Sequence, residues 1–213
     1  IQSDELVKSE TGIQVFNTAF LISPHGDIMG KYRKNHLVPF GEYIPFSFLF
    51  KNLAPLVGQQ GFVSTSPGKE IEPLVIEDLS FGSLICYDSL FPEISREFIR
   101  KGALFLVQLS YERWYGHSPA SAQIFTNTLL RAVENNVYMV RSVEGGISGI
   151  VTPRGELLKT TPLFESGMAS HTLLLPEPGR LTFYTRFGDL FIYLLLILLA
   201  LELVLNLLDK KKN

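Results

Sequence analysis

One residue in this chain of 213 has the chemistry of a strong nucleophile: Cys86, the only cysteine. It sits in Gly82-Ser83-Leu84-Ile85-Cys86-Tyr87-Asp88-Ser89-Leu90-Phe91-Pro92-Glu93. There an apolar strand runs into a sharp turn, and Pro92 with Glu93 signals a helix just after it. A thiol so placed faces backbone N–H groups and the positive end of a helix, both of which favour thiolate. A lone cysteine equally suits the role of a small buried hydrophobe, and the motif alone does not separate the two. A second cluster lies upstream, in Lys31-Tyr32-Arg33-Lys34-Asn35-His36-Leu37-Val38-Pro39-Phe40-Gly41-Glu42. A lysine beside a nucleophilic cysteine can stabilise both the thiolate and a tetrahedral oxyanion. A carboxylate within reach can orient that lysine or move protons. A solvated basic turn after a hairpin accounts for the same residues.

These clusters need elements to bring them together. Residues 13–22, the turn Ser23-Pro24-His25-Gly26-Asp27 and residues 28–32 read as a β-hairpin that ends just before Lys34. Residues 74–76 and 80–86 read as buried strands, 91–101 as a helix and 104–109 as an apolar strand. Ser118 is placed to cap a helix from Pro119 to about Asn136, with Ala122, Phe125, Leu129 and Val133 along one side. Strands at 137–142 and 147–152 follow, with further strands expected as far as Leu175. Strand–helix–strand–helix order without strict alternation in the strands gives an α/β class. Residues 43–73 are irregular, with an apolar cluster between positions 46 and 57. A long loop of that kind suits an arm that dips into lipid, or a local hydrophobic cluster.

Composition narrows the function. A net charge of −2 argues against a nucleic-acid partner. The 46% hydrophobic and 19% charged content excludes a disordered chain. One cysteine excludes an internal disulfide framework, and four scattered histidines show no metal-ligand spacing, so no cofactor or metal is expected. The apolar excess is concentrated at the end, where residues 190–208 read LFIYLLLILLALELVLNLL. Nineteen helical residues reach about 28 Å, close to the hydrocarbon core of a bilayer. Asp209 and three lysines follow, which places that end on the cytoplasmic side and residues 1–189 on the opposite face. An unpaired thiol outside the cytoplasm hints at use. Glu202, inside the apolar helix, suits contact with another membrane helix. The expected organisation is a catalytic domain at 1–183, a transmembrane helix with an aromatic flank at 184–209, and a basic cytoplasmic tail at 210–213. The chain begins with Ile1 and enters a strand almost at once, so an upstream portion of a longer membrane protein is expected.

Taken together, Tyr32-x-Lys34-x-x-Leu37 and Gly82-x-x-Ile85-Cys86-Tyr87-Asp88-x-x-Phe91-Pro92-Glu93 resemble the nitrilase, or carbon–nitrogen hydrolase, superfamily. Within it, Leu37-Val38-Pro39-Phe40-Gly41-Glu42 and the membrane tail are similar to the apolipoprotein N-acyltransferase family. Arg96-Glu97-Phe98, Trp114-Tyr115-Gly116, Arg131-Ala132-Val133-Glu134-Asn135, Gly146-Ile147-Ser148 and Tyr184-x-Arg186-x-Gly188-Asp189 extend the resemblance over roughly residues 13–205. It implies a nitrilase-like α-β-β-α sandwich, incomplete at its N-terminus, followed by one C-terminal transmembrane helix. It implies Cys86 as nucleophile, Lys34 as the triad lysine and Glu42 as a second, supporting glutamate. Tyr87 and Asp88 would shape the site, although the transferases usually carry Glu at the position of Asp88. Trp114 and Tyr115 would wall an acyl pocket, or pack as ordinary aromatics. The triad's general-base glutamate has no counterpart in this chain. Ser110-Tyr111-Glu112-Arg113 and Gln123-Ile124 also depart from the family pattern. The implied activity moves a fatty acyl chain from a membrane phospholipid, through a thioester, to the amine of a diacylglyceryl lipoprotein, at the outer face of a bacterial inner membrane. A membrane-anchored amidase and an inactive binding module are the alternatives. His25, His117 and His171 are expected to be structural or solvent-side, and His36 structural.

Overall fold

A computed structural model describes residues 1–9, 12–45 and 64–210. The apolar cluster at 46–57 and the end of the lysine tail at 211–213 lie outside the described residues. Strands β1 (Gln2–Ser9), β2 (Gly12–Ile22) and β3 (Ile28–Arg33) form an antiparallel sheet in the order β1-β2-β3. The β2–β3 hairpin is the expected one. Its turn is closed by Ser23, whose N–H donates to the Asp27 carbonyl at 2.8 Å and whose Oγ accepts the Asp27 N–H at 3.1 Å. Lys34 follows β3 directly and is fixed by its own N–H, donated to the Asn17 carbonyl at 2.9 Å.

A second sheet has the order β4-β5-β6-β7-β8-β9, from Leu74–Ile76, Leu79–Ile85, Phe105–Tyr111, Met139–Glu144, Gly149–Val151 and Leu157–Thr160. Its three middle strands β5, β6 and β7 are parallel, and the flanking pairs are antiparallel. Parallel neighbours need long crossovers, and helices supply them. Helix α1 (Pro92–Arg100) joins β5 to β6, and α2 (Ala120–Asn135) joins β6 to β7. Leu84, Ile85, Ile94, Phe98, Leu106, Met139 and Val151 are buried in one core, which Ala19 and Tyr32 of the first sheet also enter. Burial of a side chain of this size contributes about 1.5–3 kcal/mol. The core is close-packed at Gly82, where an added Cβ would lie 2.6 Å from Phe98 and 2.7 Å from Leu106. Phe98 can therefore cross β5 only over a residue with no side chain.

Four expectations need correction. The strand read as 80–86 stops at Ile85, and a 3-10 turn, Cys86–Leu90, separates it from α1. Ser118 does not cap α2: Pro119 holds the cap position in a helical conformation with no side-chain bond, and Ser118 Oγ only accepts the Ala120 N–H at 3.4 Å. The buried side of α2 carries Ser121, Ile124, Thr128, Arg131, Ala132 and Asn135, while Ala122 and Val133 are exposed. The apolar stripe misled because this helix packs through paired polar groups. Thr128 donates to Gln108 at 2.6 Å, and Asn135 donates to Ser95 at 3.4 Å. Beyond Leu157–Thr160 no further strand forms among the described residues up to Leu175; Pro162 and Gly167 punctuate that stretch.

At the C-terminal end a short helix α3 (Phe183–Phe187) leads into α4 (Leu190–Lys210). Thr182 caps α3 and also donates to the Glu134 carbonyl at 2.6 Å, while buried Thr185 donates to Asn135 Oδ1 at 3.0 Å. The Arg96 guanidinium lies over the Tyr184 ring at 5.4 Å. Gly188 is in a positive-φ conformation, and a Cβ there would collide with Arg96. Residues 190–209 of helix α4 are exposed, and they are long and apolar enough to cross a membrane.

Candidate active site

The parallel strands β5, β6 and β7 end on the same side, the usual place for a ligand crevice in sheets of this kind. Cys86 is the first residue past β5. Its φ is +47°, a left-handed conformation that costs an ordinary side chain about 1 kcal/mol or more. The strained turn lifts Cys86 out of the strand's alternation and presents it to a cavity of about 350 Å³. Lys34, Glu42, Asn17 and Val38 line that cavity from the first sheet and the loop after β3, and Tyr111 and Trp114 line it from the end of β6. The two clusters singled out in the sequence therefore meet across one space.

Lys34 is 1% exposed, and its Nζ donates to Glu42 Oε2 at 2.7 Å. The same carboxylate oxygen accepts the Val38 N–H at 2.7 Å, and Glu42 Oε1 accepts from Asn17 Nδ2 at 3.2 Å. Glu42 is thus a fixed counter-charge that allows a cation to stay buried beside the thiol. Among the described residues it is the only carboxylate lining the cavity.

Asp88 lies behind the nucleophile and is not a lining residue. Its Oδ1 accepts the His36 N–H at 2.8 Å, and its Oδ2 accepts the Tyr32 hydroxyl at 2.9 Å and the Ile85 N–H at 3.2 Å. One buried carboxylate therefore ties the loop that carries Lys34 to the turn that carries Cys86. Burial raises its pKa to about 6, against the pull of the His36 and Tyr32 donors and the Lys34 charge. His36 is held through its backbone, while its ring stacks on Phe91 at 3.8 Å. The Tyr87 ring packs edge-on against Phe91 at 5.2 Å, outside the cavity lining.

Further polar groups support Cys86 from the other side. Its carbonyl accepts from Ser89 Oγ at 2.9 Å, Gln108 Nε2 donates to the same Ser89 Oγ at 3.0 Å, and Thr128 donates to Gln108 Oε1. Trp114 and Tyr115 stand on a 3-10 turn, Arg113–Tyr115, with their rings stacked 4.7 Å apart. Tyr115 is half-buried and, unlike Trp114, is not a lining residue of the cavity. Burial, then the Cys86 and Glu112 charges, pushes this phenol well above its ordinary range, so it keeps its proton. Glu112 and Arg141 form a fully buried ion pair next to this turn.

Sequence reasoning missed Asn17, Tyr111 and the Gln108, Thr128 and Glu112–Arg141 groups. Asn17 carried a signal, as a polar residue inside an apolar strand. Gln108 carried the same signal within Leu104-Phe105-Leu106-Val107-Gln108-Leu109.

Residues 5–179 match the carbon–nitrogen hydrolase family. Among curated relatives, apolipoprotein N-acyltransferase of Geobacter metallireducens is 39% identical over 191 residues, covering 90% of this chain and 36% of that protein. The protein of the same name from Borreliella burgdorferi is 34% identical over 194 residues, covering 88% and 36%. The chain thus spans about a third of the length of these relatives. In fold it is similar to Saccharomyces cerevisiae Nit3, a member of branch 10 of the nitrilase superfamily, with a TM-score of 0.56 and 24% identity over 78% of this chain and 55% of that one. A carbon–nitrogen hydrolase from Helicobacter pylori G27 gives 0.54 and 22% over 75% and 56%.

Proposed function

This chain belongs to the carbon–nitrogen hydrolase family, and from that premise we propose that it is the thioester-forming part of a membrane N-acyltransferase. Its acyl donor is a phospholipid, and its acceptor is the free amine of a diacylglyceryl-cysteine at the start of a lipoprotein. The observation that carries the reading is Cys86 at a strained strand end, on a cavity it shares with a buried lysine–glutamate pair.

In the proposed cycle the Cys86 thiol gives up its proton and its sulfur attacks the ester carbonyl. The developing oxyanion is stabilised by the Lys34 ammonium, which its bond to Glu42 aims. Collapse breaks the ester C–O bond, and the lysophospholipid hydroxyl leaves with the proton the thiol lost. The acyl group remains on sulfur, a good leaving group toward an amine, so one hard substitution becomes two easier ones. Attack by the lipoprotein amine then gives an amide and returns the thiol. Trp114 and Val38 offer apolar surface beside the sulfur for the fatty chain.

Support for the acyl-transfer reading over amide hydrolysis comes from the names of the relatives and from α4. Twenty-one residues at about 1.5 Å rise make a helix roughly 31 Å long, exposed over residues 190–209, matched to a hydrocarbon core. A bilayer covers that surface and holds the cavity near both lipid substrates. In this reading residues 1–189 stand on the outer face of a bacterial inner membrane and the lysine tail on the cytoplasmic face.

The test is intact-mass analysis after incubation of the membrane-purified protein with phospholipid. A hydroxylamine-labile fatty acyl adduct on Cys86, lost in Cys86→Ser, is the expected result. No adduct, together with ammonia release from small amides, would overturn it in favour of an amidase. Protease treatment of sealed cells and spheroplasts tests the orientation: cleavage of residues 1–189 only from the cytoplasmic side would refute it.

A further inference from the structure

Asn17 interrupts a mostly apolar run on β2, Val15-Phe16-Asn17-Thr18-Ala19-Phe20. Alternation puts its side chain on the same face as Ala19, which enters the core. An amide on that face needs hydrogen bonds to offset its burial, and both of its ends are engaged. Its Oδ1 accepts from Gln2 Nε2 on β1 at 2.9 Å, and its Nδ2 donates to Glu42 Oε1 at 3.2 Å. A carboxylate only accepts, so the nitrogen is the end of the amide that faces Glu42. Gln2, Asn17 and Glu42 all line the cavity that holds Cys86.

The same residue also holds Lys34. The β2–β3 ladder ends at the pair Thr18–Arg33, and one further bond, from the Lys34 N–H to the Asn17 carbonyl, fixes the lysine backbone. Lys34 is thus held at its root by the Asn17 main chain and at its tip, through Glu42, by the Asn17 side chain. Glu42 Oε2 takes Lys34 Nζ and the Val38 N–H. With Oε1 held by Asn17 as well, the carboxylate is fixed about its last torsion, otherwise a broad two-fold rotation. Among the described residues Glu42 is the one hydrogen-bond partner of the Lys34 ammonium, which leaves two N–H groups for a substrate oxygen. The direction of those two follows from where the carboxylate is held.

We propose that Asn17 is a positioning residue for the oxyanion site: its side-chain amide fixes the Glu42 carboxylate, which in turn aims the Lys34 ammonium at the substrate carbonyl beside Cys86. The inference rests on the reading of Cys86 as the nucleophile and Lys34 as the group that meets the oxyanion. It gives the polar interruption of β2 a task in the chemistry, although Asn17 itself needs no contact with the reacting atoms.

Two reactions of the single cysteine separate aim from access in the membrane-purified protein. A small activated ester, p-nitrophenyl butyrate, acylates the sulfur through a tetrahedral oxyanion and releases p-nitrophenolate in a burst. Iodoacetamide alkylates the same sulfur by displacement of iodide, with no oxyanion. The ratio of the two rates at one pH therefore reads oxyanion stabilisation with thiol ionisation and access cancelled. Asn17→Ala is expected to lower this ratio about tenfold and leave alkylation unchanged, since a hydrogen bond to a charged group is worth at least about that factor. Asn17→Asp sets a second carboxylate against Glu42 Oε1, and two such groups come to share a proton as the pH falls. Its ratio should be low at about pH 8 and recover relative to wild type toward about pH 5.5, where the shared proton restores the bond. An unchanged ratio in Asn17→Ala, or a parallel fall in both rates, would overturn the proposal. If Asn17→Ala does not fold, the absence of acid recovery in Asn17→Asp would overturn it instead. A wild-type burst that survives in Cys86→Ser would overturn the reading of Cys86 as nucleophile. A burst that needs Cys86, with no acyl adduct from phospholipid, would overturn only the acyltransferase reading, and the ratio would still decide the role of Asn17.

Discussion

Replacing Asp88 by asparagine tests the joint between the two halves of the site through stability as well as activity. With a pKa raised from 3.8 to about 6, the folded protein holds the Asp88 proton more tightly than the unfolded chain does. The stability this group contributes is therefore present in full below about pH 3.8 and is lost as pH rises through about 6. From those two values, the loss between pH 4.5 and 7 is about 2 kcal/mol. The amide of the Asp88→Asn variant cannot ionise, so this component should be missing from it. Glu5 does not interfere. Its two cationic partners, Arg33 and Lys31, hold its pKa near 2, so its contribution is complete above about pH 4.5 and falls away only in acid. The assay is urea unfolding of wild type and Asp88→Asn in the same detergent at pH 4.5 and 7. The wild-type value should fall by about 2 kcal/mol more than the variant's between the two pH values. At neutral pH the variant's amide opposes either the His36 N–H or the donors from Tyr32 and Ile85, so acylation of Cys86 should slow at least tenfold. Parallel pH dependence in the two proteins would refute the argument, because it would mean that Asp88 incurs no burial penalty on ionising.

Three further outcomes are expected. Cys86→Gly should be more stable than Cys86→Ala by roughly 1 kcal/mol in chemical denaturation, the reverse of the usual order in a core, because φ is +47° there; both should lack the acyl adduct. Gly82→Ala should cost about 2–3 kcal/mol, read as a lower unfolding midpoint, because the new methyl meets Phe98 and Leu106 where nothing can yield. Glu42→Gln should leave the Lys34 ammonium buried without its counter-charge, costing about 3 kcal/mol of stability and abolishing adduct formation in the mass assay.

The strands and the α/β order could be read from the chain because they follow from local composition. Apolar runs at 80–85 and 104–109 and the Pro-Gly turn at 23–27 are signals carried by adjacent residues. The convergence of Lys34, Glu42 and Cys86 was legible only through motif resemblance, since nothing in their spacing shows that a loop after β3 folds over the end of β5. The buried side of α2 was misread for a physical reason: Thr128, Arg131 and Asn135 are buried because each finds a partner in another element, and hydropathy cannot register a partner. Glu112 and Arg141 are 29 residues apart and look like two surface charges until the parallel pairing of β6 with β7 brings them together.

The union of Thr182, Thr185 and Tyr184 with Asn135, Glu134 and Arg96 has a mechanical consequence. An enzyme on a slack tether samples many heights and headings above a bilayer and must find its lipids by search. Here the root of α4 is bolted to the crossover helices that themselves brace the nucleophile turn. In the membrane setting proposed above, with α4 upright in a bilayer, the cavity mouth would have one standoff and one compass bearing, and tilting the anchor by a few degrees would steer the sulfur.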